Sequence, residues 1–74
     1  MPKLGVFSGA EICKILEANG FRQVRHRRSS HVVMQKSEDG RTITVPVPQH
    51  RFVKIGTLQS IIRQSELPRE LFLR

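Results

Sequence analysis

Two runs of strand-forming residues flank Asp39-Gly40: His31-Val32-Val33-Met34 before it, and Ile43, Val45 and Val47 after it, alternating with Thr42, Thr44 and Pro46. Asp-Gly is a strong hairpin signal because both residues tolerate the backbone of the tight turns that join twisted antiparallel strands. Ser37-Glu38-Asp39-Gly40 is therefore the connection of a hairpin. A shorter strand precedes it, with Val24 among polar neighbours, and Arg27-Arg28-Ser29-Ser30 forms the first connection. Pro46 lacks an amide hydrogen, so the third strand ends there or lies at a sheet edge.

On either side of the strands the apolar spacing is helical. Ser8-Gly9-Ala10-Glu11 has the capping-box form, Ile12, Ile15 and Leu16 share one face with Lys14 and Glu17 outside it, and Asn19-Gly20 supplies a left-handed stop. Phe21 follows that stop and packs back on the helix. After a loop from Pro48 to Thr57, Thr57 is the expected N-cap of a second helix with Leu58, Ile61 and Ile62 on its apolar face, ending before Pro68. The tail then either adds one helical turn with Leu71 and Phe72 on the core or awaits a partner. The expected fold class is α+β in the order α-β-β-β-α. A three-stranded antiparallel sheet carries both helices on one face and leaves the other open. The expected core is Ile12, Leu16, Phe21, Ile43, Val45, Leu58, Ile61 and Ile62.

A chain of 74 residues is read as a single domain, 1–74, with one small core, since a chain this short buries only roughly 60–65% of the surface its unfolded form exposes. The lone Cys13 excludes an internal disulfide and a cysteine-based zinc cage, and is read as core. No apolar run is long enough to span a bilayer and no secretory pattern opens the chain, so a cytoplasmic protein without a membrane partner is expected. Thirteen Lys and Arg against six Asp and Glu give a net charge of +7, which suits a polyanionic partner. Eight of the thirteen lie between Arg22 and Lys54 with only Glu38 and Asp39 as acids, which places the charge on the sheet and its loops.

Four stretches carry a family resemblance: Gly20-Phe21 closing the first helix, Ser30-His31 opening the second strand, "TVPVPQH" from Thr44 to His50, and "IGTLQSIIRQSELP" from Ile55 to Pro68. In these the chain resembles the HicA (YcfA-like) family of small toxins over roughly Ser8 to Phe72. The resemblance implies a double-stranded-RNA-binding-domain-like fold, endoribonuclease action on messenger RNA, and neutralisation by a HicB-like antitoxin. The family commonly carries Gly-Ser-His where this chain reads Arg28-Ser29-Ser30-His31 in a loop one residue longer.

RNA cleavage without a metal needs a group to take the 2′-OH proton, a group to protonate the leaving 5′ oxygen, and positive charge on the phosphorane. His31 is the candidate general acid/base, because a cationic surround of Arg25, Arg27 and Arg28 favours the neutral, proton-accepting imidazole. Ser30 and His50 are candidate auxiliaries, and His26 is a further candidate for the second proton. Arg22, Arg25, Arg27, Arg28 and Lys54 are candidate RNA contacts, tracking phosphates rather than stacking bases, since Tyr and Trp are absent. Gly56-Thr57 can take a phosphate at a helix start, although capping is the simpler role. His26, His31 and His50 lack metal-ligand spacing, so neither a metal nor another cofactor is expected. Two other functions fit the charge: a non-catalytic RNA-binding module of the same fold, and a basic adaptor for an acidic protein.

Overall fold

The computed structural model describes residues 4–26 and 31–73, with Arg25 and His26 described by their backbone alone. The elements are α1 (Gly9–Ala18), β1 (Arg22–His26), β2 (His31–Glu38), β3 (Arg41–Pro48) and α2 (Ile55–Ser65), followed by a 3-10 turn at Arg69–Phe72. The order is the α-β-β-β-α expected from the sequence.

Local chemistry sets both ends of α1. Ser8 Oγ accepts from the Glu11 amide at 3.1 Å while Glu11 Oε1 accepts from the Ser8 amide at 2.9 Å. Two first-turn donors are thereby satisfied reciprocally. At the other end the Gly20 amide donates to Glu17 O and the Phe21 amide to Leu16 O, with Gly20 at φ +96°. This is a Schellman closure, and its apolar pair, Phe21 on Leu16, is buried.

β1, β2 and β3 pair in that order, both pairs antiparallel. β2 and β3 run up to the turn itself, Glu38 opposite Arg41, so the connection is only Asp39-Gly40, two residues shorter than expected. Both have positive φ, 50° and 76°, as a two-residue turn of this hand requires. β3 continues through Pro46 to Pro48, so the edge-strand alternative for Pro46 is the one realised. Val32 opposite Val47 and Met34 opposite Val45 lie buried on the helix side. Gln35 opposite Thr44 and Ser37 opposite Thr42 lie on the open side, where Gln35 Nε2 donates to Thr44 Oγ1 at 3.2 Å. Toward the hairpin, strand alternation gives the outward positions of these two strands to threonine, serine and glutamine, while their basic residues, Lys36 and Arg41, pair with Glu38 and Glu66.

α2 begins at Ile55, three residues before the expected start, and Thr57 sits in its first turn instead of capping it. The cause is a long-range anchor. The Val53 amide donates to Phe7 O at 2.8 Å and the Val53 side chain is buried, so Lys54, extended at φ −61° and ψ 148°, becomes the cap. Leu58, Ile61 and Ser65 form the buried stripe, and Ile62, expected in the core, lies half-buried on its flank. Ser65 is accommodated because its hydroxyl donates to Ile62 O at 2.8 Å and accepts from the Leu67 amide at 3.2 Å.

The tail folds back without a partner. Gly5 N donates to Phe72 O at 2.9 Å, Leu4 bridges Leu73, and the Phe7 and Phe72 rings meet edge to face at 6.3 Å. Phe72 is fully buried, whereas Leu71, expected beside it, points outward, because a 3-10 turn sends adjacent side chains in different directions. Phe7, Val32, Met34, Val47 and Val53 complete the core with the residues foreseen from periodicity.

Candidate functional site

His31 is the first residue of β2 and pairs with Pro48, the last of β3. Two residues beyond Pro48 the chain reaches His50, whose carbonyl accepts from the Gly9 amide at 3.0 Å. A Cβ at Gly9 would run into the Pro48 carbonyl and come within 2.8 Å of Gln49 Cα, so glycine is what lets the start of α1 seat against this corner. Gln49 Nε2 adds a bond to Val47 O at 3.2 Å. The next anchor is Val53 on Phe7, and α2 follows immediately. Between these elements lies an open cleft of about 460 Å³. One wall carries His31, Pro46, Pro48 and His50, and the loop adds Phe52, Val53 and Lys54. The opposite wall is Thr57, Ser60, Ile61 and Gln64, spaced by three or four residues as one helix face must be.

The lining carries Lys54 and two imidazoles and no carboxylate. All six acids lie elsewhere: Glu11 in the α1 cap, Glu17 late in α1, Glu38 and Asp39 at the hairpin, Glu66 after α2, and Glu70 in the tail. The cap residue of α2, Lys54, makes no side-chain hydrogen bond to the first turn, whose amides lie at the positive end of the helix dipole. A Cβ at Gly56 would meet nothing within 4 Å, so that turn is open to an incoming group. His31 is half-buried and His50 exposed.

Of the candidates named from sequence, His31, His50 and Lys54 come together in this cleft, with Thr57 beside them. Arg22 does not line it: it is exposed and pairs with Gln35, four residues along β2 from His31, a separation on the order of 13 Å. The backbones of Arg25 and His26 pair with Val33 and Val32. Arg27, Arg28, Ser29 and Ser30 lie outside the described residues. Cys13 is half-buried against the core, and burial pushes its thiol upward, away from the reactive thiolate. Among the described residues no three His, Cys, Asp or Glu side chains gather as metal ligands.

Sequence reasoning passed over Phe52, Ser60 and Gln64. Thr57, Ser60 and Gln64 form a polar stripe at helical spacing beside the Leu58–Ile61 apolar stripe, which is a legible signal. What periodicity could not supply is that this flank, and not another, faces the His31 corner.

Fold and cleft define the class: a small basic α+β protein whose sheet edge and second helix enclose two imidazoles and an ammonium. The family model described as HicA toxin of bacterial toxin-antitoxin matches residues 9–67. That span contains every element from α1 through α2 and every residue lining the cleft. The chain belongs to this family, whose members are the toxin half of a toxin–antitoxin pair. Neither a curated protein nor a solved structure matches it. Among the described residues no helix is long and apolar enough to cross a membrane.

Proposed function

We propose that this toxin is a metal-independent endoribonuclease acting on messenger RNA, held in check by a HicB-like antitoxin. The observation that carries the reading is the convergence of His31, His50 and Lys54 on one carboxylate-free cleft beside the start of α2. His31 takes the proton from a ribose 2′-OH as that oxygen attacks the adjacent phosphorus. His50 gives a proton to the 5′ oxygen as the P–O5′ bond breaks. Lys54 and the first-turn amides of α2 offset the negative charge that grows on the phosphorane. The products are a 2′,3′-cyclic phosphate and a 5′ hydroxyl. Arg22, Arg25, Arg27 and Arg28 hold flanking phosphates, and Ser30 assists His31.

The test is incubation of the purified protein with a structured messenger RNA in excess EDTA, followed by analysis of both product ends. Cleavage with 2′,3′-cyclic phosphate and 5′-hydroxyl ends supports the reading. Salt-dependent RNA binding without cleavage, with or without divalent ions, replaces it with the non-catalytic RNA-binding module. Products carrying 5′ phosphates would contradict the 2′-OH mechanism.

A further inference from the structure

The chain has four phenylalanines. Phe7, Phe21 and Phe72 are 3%, 4% and 0% exposed, whereas Phe52 is 67% exposed and lines the cleft. A fully buried phenylalanine side chain contributes substantially to folding, and Phe52 forgoes most of that contribution. Looseness of the loop does not account for its position. The segment is tied on one side by Gly9 N–H to His50 O and on the other by Val53 N–H to Phe7 O, and the Val53 side chain turns inward. Phe52 is therefore held with its ring outward on a twice-anchored loop, beside Lys54 and opposite the wall of Thr57, Ser60, Ile61 and Gln64.

We infer that Phe52 is the stacking platform for one unpaired nucleobase next to the scissile phosphate, an inference that rests on the ribonuclease reading above. Three features select a nucleotide over an apolar ligand or a hydrophobic protein anchor. The lining sets Lys54, two imidazoles and the Thr57, Ser60 and Gln64 side chains among the apolar Pro46, Pro48, Val53 and Ile61, with no carboxylate to repel a phosphate. An aromatic face next to a phosphate-holding cation matches a base joined to its own backbone. The cleft, at about 460 Å³, falls in the range that encloses a small organic ligand. A base within an A-form duplex has both faces covered by its neighbours, so only a single-stranded or extruded nucleotide can use the ring. Cleavage then falls at unpaired positions of the RNA, a selectivity that basic phosphate contacts alone do not provide.

The chain contains neither Trp nor Tyr, so Phe52→Trp creates a single-fluorophore protein with the reporter in the cleft. A 2′-O-methyl oligoribonucleotide binds but cannot be cut. Adding it single-stranded should quench the Trp emission, and the same strand in a duplex should not. In steady-state cleavage of an unpaired RNA, Phe52→Leu should raise KM at least about 5-fold with kcat little changed, because a stack made equally in ground and transition states is uniform binding. Phe52→Tyr should restore the parental KM. Cleaving parent protein with a Phe52→Leu KM within twofold of it overturns the inference and leaves the ribonuclease reading standing. Unchanged RNA kinetics with lost antitoxin binding assigns the ring to a protein contact and also overturns it. A parent that neither cleaves nor binds RNA overturns both readings together.

Discussion

At the Asp39-Gly40 end of the β2–β3 ladder, two basic side chains have acidic partners. Arg41 pairs with Glu66 at 2.7 Å, Lys36 with Glu38 at 3.3 Å, and the Lys36 ammonium also stands 5.8 Å over the Phe21 ring. At the His31–Pro48 end, Lys54 and two imidazoles line an open cleft with no acid among them. Eight-residue strands set the two ends apart by on the order of 23 Å. Acids pair with Lys36 and Arg41 where the chain turns, whereas Lys54, His31 and His50 face the cleft with no acid among them.

The comparison can be broken most forcefully through the core both ends share. Leu16 is fully buried, and Leu16→Ala should lose roughly 2–5 kcal/mol, the usual cost of a leucine-sized cavity. Thermal melts of the variant would measure this, and an unchanged transition would contradict the packing of α1 on the sheet. Gly9→Ala comes next, because its methyl group meets the Pro48 carbonyl and Gln49; overpacking of this kind costs about 1–3 kcal/mol. Since the strain falls on the strand end leading to His50, RNA cleavage should suffer more than the melt alone predicts. Ser8→Ala removes half of the capping box and should cost about 1 kcal/mol by denaturant titration. Smallest is Arg41→Gln at the hairpin end. Both members of its ion pair are more than half exposed, and such pairs contribute little, so neither the melt nor the cleavage rate should move measurably.

The parts of this molecule that its sequence made legible are those decided locally. The capping box at Ser8 and Glu11, the stop at Gly20 with Phe21 folding back, and the Asp39-Gly40 turn each depend on residues within a few positions of one another. Misreadings trace to contacts across the chain. Thr57 looked like a cap because it is a good one, but the Val53–Phe7 bond, 46 residues apart in sequence, starts the helix at Ile55 instead. Ile62 gave way to Ser65 in the buried stripe because a serine that bonds its own helix can be buried, which a hydrophobic pattern does not register. At the site, His31, His50 and Lys54 were nameable as titratable or cationic groups flanking the strands. Phe52 was not, because nothing in composition distinguishes it from the three phenylalanines that went inside.

The central claim is that the His31 end performs chemistry and the hairpin end only folds. The most direct measurement is single-turnover cleavage of one RNA, in EDTA, by parent, His31→Ala and Arg41→Gln proteins of matched circular dichroism. The account predicts that Arg41→Gln cleaves at the parental rate. His31→Ala should keep its RNA affinity and lose at least ~10²-fold in rate, the scale of removing a general acid–base group. Folded His31→Ala protein cleaving at near the parental rate would contradict it.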